Sequence, residues 1–400
     1  MTLTPTKVER WLRPFSPTRR AVQSSPSGDV VELTVRVRQG PAGRTASLLI
    51  GGREVVKVPF LVRYHEDRAA QRLADLLDST QRSLGPRGQA AVEAYGSELF
   101  DAIFPKPAHD HYRTALGTAL EANSRLRILL DLDQQTSDLP WEYLFDADRA
   151  QFLAMSSDTS VIRLLDTNQT RRADPIETLR VLVMATNPRG TAPLHADAEI
   201  DQLQTQLAAI DRVALRTVDG ETLEDLRVAA RDFSPHVVHL VAHGQWFDDA
   251  DDGAVMFADE QGSPRPVSGR ELAVALKRKD LRLVLCNSCN GARTSLADPF
   301  AGVTESLVAQ GVPAAVGMQY RIENRAASSF GTTFLTALAK GDRIDDALTE
   351  ARTAVYTAHN GIEWATPVLT SRVPVDEILT WASTDSPLRS PRPTSTNLMV

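Results

Sequence analysis

The sequence predicts an α/β fold: a mainly parallel sheet with helices on both faces, preceded by an α+β N-terminal region. Three observations carry this. From residue 179 onward, uninterrupted apolar runs of strand length alternate with amphipathic helical segments, the pattern of a sheet covered on both sides. Residues 29–170 follow a different order, a run of strands, a run of helices and a further strand, which is an α+β rhythm. Between the two, residues 167–177 are polar, contain Pro175 and mark a boundary.

Residues 1–28 mix Pro, Ser, Thr and Arg without periodicity, apart from a short cluster at Trp11, Leu12 and Phe15, and residues 383–400 are similar; both read as flexible tails. Order is expected to begin where Val31, Leu33, Val35 and Val37 alternate with Glu32, Thr34, Arg36 and Arg38, the period of a half-buried strand. A second alternation over residues 48–60 is broken by Gly51-Gly52, a hairpin turn. Helical segments are expected at 67–83, 89–104 and 109–122, separated by Gly85-Pro86 and by residues 105–107, and then a strand at 126–132.

The core, residues 177–382, is expected to hold strands at 179–186, 213–218, 236–242, 281–286, 313–318 and 365–369. Helices are expected at 196–212, 222–233 and 299–310, with two more before the last strand.

Composition narrows function by exclusion. Four hundred residues suffice for one large or two medium domains. With 44 basic against 51 acidic side chains the net charge is −7, and no basic stripe appears, so nucleic acid is not an expected partner. The start has no apolar signal region and no run of about 18 apolar residues occurs, which predicts no membrane span and a cytoplasmic location. Cys286 and Cys289 are the two cysteines, too close together to cross-link distant segments.

In open α/β sheets ligands bind beyond the carboxyl ends of the strands. Asn187, His243-Gly244 and residues 287–291 occupy three such ends. Cys289 and His243 therefore pair a thiol with an imidazole on loops leaving the sheet, the requirement for a thiol nucleophile, because a neighbouring histidine takes the proton of an otherwise protonated thiol. Backbone amides of Gly244 and Cys289 are candidates for stabilising an acyl-transfer oxyanion. The histidine precedes the cysteine by 46 residues, and Ser288-Cys289-Asn290-Gly291 has the small-Cys-x-Gly form seen about 50 residues after the histidine in caspases.

The segments VVHLVAHG, LVLCNSCNGAR, FAGVTESLVAQGVPAAVGMQY, ALTEAR and WATPVLT, in this order, resemble the CHAT family of caspase-like cysteine peptidases, related to caspases and separase. LPWEYLFD, residues 139–146, resembles the element that precedes the peptidase core in that family. The resemblance covers residues 120–382 and implies a caspase-like fold, a cofactor-free cysteine endopeptidase acting on a protein substrate through a thioester, His243 as the family histidine and Cys289 as its nucleophile. It further implies a role in bacterial defence, regulated cell death or protein maturation, a target encoded nearby, and activation by a partner or by residues 1–120. Where the arginine-cutting separases carry an acid for the substrate's basic side chain, this chain has Glu323 beside Asn324; Glu323 is the candidate substrate-binding acid.

Other readings stand beside these. The caspase-like fold also serves as a non-catalytic scaffold or signalling module. Asp131 and Asp133, at the end of the 126–132 strand, read either as pocket residues or as ordinary loop carboxylates. Cys286 lies within an apolar strand and reads as core; Trp141 and Glu142 read as anchors between the first region and the core. No second CxxC accompanies Cys286 and Cys289, His239 and His243 fall on a strand, and the acids 248–252 read as a solvated loop, so no metal is expected. A phosphate-binding glycine loop is absent as well.

Overall fold

A computed structural model describes residues 30–61, 85–165, 173–194, 196–247, 252–288, 299–320, 322–359 and 361–382. The expected tails, the helix expected at 67–83, most of the polar boundary, the acids Asp248, Asp249 and Asp251, and residues 289–298, including Cys289, lie outside the described residues.

The first region opens with an antiparallel meander, β1 (Val31–Gly40), β2 (Gly43–Ile50) and β3 (Arg53–Pro59). Its alternation is realised: Leu33, Val35 and Val37 are fully buried, while the residues between them face outward. Gly51 and Gly52 adopt φ of +57° and +76°, the left-handed backbone that a two-residue hairpin turn demands. Helices α1 (Pro86–Ile103) and α2 (Ala108–Glu121) follow, then β4 (Leu126–Asp131), the short α3 (Gln134–Ser137), a small hairpin of β5 (Phe145–Asp146) and β6 (Gln151–Phe152), and β7 (Thr159–Leu164).

The second region begins with β8 (Leu179–Thr186), α4 (Ala196–Leu207), β9 (Val213–Thr217), α5 (Leu223–Phe233) and β10 (Val237–Ala242). The connection from β10 is longer than a simple crossover. It forms a separate antiparallel sheet of β11 (Gly244–Phe247), β12 (Asp252–Ala258) and β13 (Pro264–Ser268), then α6 (Gly269–Leu276). The chain continues through β14 (Leu283–Ser288), α7 (Pro299–Ala309), β15 (Ala314–Met318), α8 (Asn324–Lys340), α9 (Ile344–His359) and β16 (Pro367–Ser371).

Eleven strands of the described residues form one sheet in the order β3-β2-β1-β4-β7-β16-β15-β14-β10-β8-β9. Strands from β9 to β15 in that order are mutually parallel, β16 is antiparallel to β15, and β16, β7, β4 and β1 are parallel again. The carboxyl ends of the two groups therefore open on opposite edges. The expected division near residues 167–177 falls between β7 and β8, and the sheet is continuous across it through the β7–β16 pair.

Both faces are covered, which explains the continuous apolar runs. Leu182, Met184, Val238, Leu240, Val284 and Cys286 pack in the layer with α5, α6 and α7. Their strand neighbours Val181, Val183, Val237, Leu283 and Leu285 face the layer that includes α4, α8 and α9. No helix of the described residues is long and apolar enough to cross a membrane.

Candidate active site

The parallel register of β10 and β14 pairs Ala242 with Ser288, the final residue of each strand. His243 comes next after Ala242, with only 6% of its surface exposed. Its partners belong to the loop that leaves β8, the other neighbour of β10: Nε2 lies 2.7 Å from the Ala192 carbonyl oxygen and 3.3 Å from Asn187 Oδ1. A carbonyl only accepts, so Nε2 is the nitrogen that donates there, which leaves Nδ1 as the nitrogen that can take a proton from elsewhere. The imidazole is oriented with Nδ1 as its basic atom.

Gly244 begins β11 opposite Val255, and Met256 N–H donates to the His243 carbonyl at 2.9 Å. In an antiparallel ladder that bond flanks a non-hydrogen-bonded pair, so Gly244 N–H points away from β12 and is not consumed by the ladder.

Beneath His243, on the same face of β10, His239 is fully buried and its Nε2 lies 2.8 Å from Glu199 Oε1. Asn287 of β14, equally buried, donates Nδ2 to the same oxygen at 2.9 Å. Glu199 comes from α4, whose buried stripe is Ala196, Glu199, Leu203 and Leu207. Gly331 of α8 closes the group from the far side, since a Cβ there would stand 3.2 Å from Glu199 Oε1 and 3.5 Å from Asn287 Nδ2.

The other residues expected at the site are distributed as follows. Cys286 is fully buried in β14. Cys289 is one peptide bond beyond Ser288 in the chain and outside the described residues. Glu323 leads into α8 from β15, the neighbour of β14; its carboxylate is half exposed and meets Arg325 at 3.4 Å. Its backbone N–H donates to the buried Glu363 at 2.6 Å.

Asp131 and Asp133 are not brought to His243. Asp131 ends β4 and Asp133 follows it, at a carboxyl end that opens on the opposite edge of the sheet. Asp131 is buried between Arg36, at 2.6 Å, and Arg38. Asp133 caps α3 by accepting from Thr136 N–H at 3.1 Å and pairs with Arg44 at 3.2 Å. Trp141 and Glu142, expected as anchors between the first region and the core, make their hydrogen bonds within the first region: Trp141 Nε1 donates to Thr136 O at 2.8 Å, and Glu142 takes a two-pronged contact from Arg163 at 2.8 and 3.2 Å.

Residues 93–385 match the family model described as CHAT domain. The chain belongs to the CHAT-domain family. Its CHAT domain takes in everything from within α1 to the end of the described chain, including β4, β7 and both strands that flank the His243 loop. Among solved structures, the separase–securin complex of Saccharomyces cerevisiae is similar at a TM-score of 0.49 and 11% identity, over 86% of this chain and 30% of that one. A secreted C11 cysteine protease from Bacteroides thetaiotaomicron, bound to an irreversible peptide inhibitor, is similar at a TM-score of 0.33 and 11% identity, over 45% of this chain and 59% of that one. The CHAT chain thus spans under a third of the length of the separase chain it matches. A comparison with curated protein sequences finds no match.

Sequence reasoning noticed Asn187 and Asn287 as strand-end residues but missed Glu199 and the Ala192 carbonyl. Glu199 had a legible signal: it occupies a core position, three and four residues from Ala196 and Leu203 on one face of α4. The carbonyl had none, because backbone contacts leave no trace in side-chain pattern.

Proposed function

We propose that this CHAT-domain chain is a caspase-like cysteine endopeptidase with His243 and Cys289 as its dyad. One observation carries the reading: Ala242 and Ser288, the residues that precede the histidine and the cysteine in the chain, are register partners on adjacent parallel strands. Residues 283, 285 and 287 of β14 share the face of His239.

In the proposed reaction, Cys289 Sγ attacks the scissile carbonyl carbon as Nδ1 of His243 takes the thiol proton. The amides of Gly244 and Cys289 stabilise the oxyanion. His243 then passes that proton to the leaving amine, the C–N bond breaks, and a thioester remains. Water attacks the thioester, giving one proton to His243 and releasing acid and thiol. The chain's own residues supply every group in this sequence. Glu323, on the adjacent β15 side, is the proposed acid for a basic substrate side chain, and the substrate is a protein.

The test is cleavage of a fluorogenic peptide series with Arg, Lys, Asp or Leu before the scissile bond, beside iodoacetamide labelling of the thiols. Cys289→Ala is expected to abolish cleavage and Cys286→Ala to leave most of it, with labelling of Cys289 lost in His243→Ala. Equal, slow labelling of both cysteines with no cleavage would instead identify a non-catalytic scaffold. A preference for Arg that disappears in Glu323→Gln assigns the pocket.

A further inference from the structure

Three polar side chains converge in the layer behind His243: Glu199 from α4, His239 from β10 and Asn287 from β14. All are at most 4% exposed. They meet on a single atom, Glu199 Oε1, which accepts at 2.8 and 2.9 Å. Two atoms of the cluster, His239 Nδ1 and Asn287 Oδ1, are buried with no hydrogen-bond partner among the described residues. Such atoms cost stability, and three apolar residues would fill the same space at lower cost. The cluster is therefore poorly explained as a stabilising device.

Its position offers another explanation. His239 stands on the same face of β10 as His243. Asn287 of β14 precedes Cys289 by two positions in the chain. Glu199 fixes the first turn of α4, and the loop entering that helix supplies the Ala192 carbonyl that holds His243 Nε2. One carboxylate thus ties together the strand bearing the histidine, the strand leading to the cysteine and the loop that sets the histidine's tautomer. We infer that Glu199, His239 and Asn287 form a positioning network that fixes His243 relative to the thiol; this rests on the peptidase reading above. None of the three touches substrate. Loss of the network lets the Ala192 carbonyl drift, so the ring is less firmly held with Nδ1 basic and accepts the thiol proton less readily.

The experiment measures the rate of iodoacetamide alkylation at Cys289 as a function of pH in the full chain, with the thermal midpoint recorded in parallel. Glu199→Leu and Asn287→Leu are expected to slow alkylation at neutral pH by about ten- to a hundredfold, the range typical of lost supporting contacts, and to move the midpoint of the pH profile upward. Glu199→Gln keeps an acceptor oxygen for Asn287 and should retain most of the rate. Gly331→Ala disturbs the cluster from α8 by a single methyl 3.2 Å from Glu199 Oε1 and should slow alkylation several-fold. If Glu199→Leu, Asn287→Leu and Gly331→Ala alter only the thermal midpoint and leave rate and pH profile at wild type, the positioning role is overturned. If wild-type Cys289 reacts no faster than in His243→Ala, the peptidase reading itself fails and the network inference falls with it.

Discussion

His236 shows how much one side chain at the amino end of β10 constrains the fold. Its Nδ1 accepts the Arg180 N–H of β8 at 3.1 Å, and its carbonyl accepts from Arg282 and Leu283 at the start of β14, so it joins three central strands. Burial first, then the charges of Arg180 and Arg282, push its pKa from 6.5 down to about 4, with Asp280 opposing them weakly. The folded ring stays neutral where the unfolded one takes a proton. As pH falls from about 6.5 to about 4 the unfolded state binds more protons, and stability declines through that window by something of the order of 1–3 kcal/mol. His236→Gln keeps an acceptor and removes the titration. Its thermal midpoint should therefore fall less steeply than wild type between those pH values; parallel curves would assign the acid sensitivity elsewhere. At this scale sequence reasoning separates residues whose environment is local. Cys286 sits in an apolar run and is buried. It does not separate those whose environment depends on strand direction: Asp131 reads as a strand-end acid like any other, and only the β15–β16 reversal sends it to the edge away from His243.

Elements differ in how far their placement is written locally. Helices α5 and α6 both start with capping boxes, Thr222 with Asp225 and Ser268 with Glu271, and such starts are visible in sequence. The β11–β13 sheet is not, because Pro264 and Pro266 disguise a strand that pairs at an edge and the acidic run beside β12 reads as loop. Placement of α1 depends on Gly96. A Cβ there would come within 2.1 Å of Tyr143 O and 2.8 Å of Phe145 Cβ, two atoms of the segment that carries Glu142 and so reaches Arg163. Neither atom is the tip of a flexible chain, so the helix itself must move. Gly96→Ala is expected to destabilise the protein by about 3 kcal/mol by overpacking, although alanine is the better helix former. A denaturant titration showing a gain in stability would mean that α1 shifts without cost.

Across the whole molecule, the first region completes the core. Composition alone allows two medium domains, and the change of rhythm near residues 167–177 suggests them. The sheet instead passes from β16 to β7 and β4 without a break, and one apolar cluster runs from Leu33 through Val183 to Leu369. Specific contacts close the same seam. Tyr143 OH donates to Ile362 O at 2.6 Å while its ring meets Trp364 edge-on at 5.4 Å, and Arg163 reaches Gln319, just beyond β15, at 2.8 Å. The fully buried Arg127 of β4 is held by Asp345 of α9 at 3.0 Å and by Asp376 at 3.1 Å. Burial alone would lower the pKa of that guanidinium, yet the carboxylates outweigh it and keep the charge in place. Separating the regions would strip β7 from one edge of β16, expose the apolar faces of β16 and α9, and take Arg127 away from Asp345. Residues 177–382 expressed alone should therefore be insoluble or molten, and residues 1–170 likewise. Co-expression of the two should restore a soluble complex that unfolds in one transition. A soluble 177–382 fragment with the thermal midpoint of the full chain would show instead that β7, β4 and the Arg163–Gln319 contact are dispensable to the part of the sheet that carries His243.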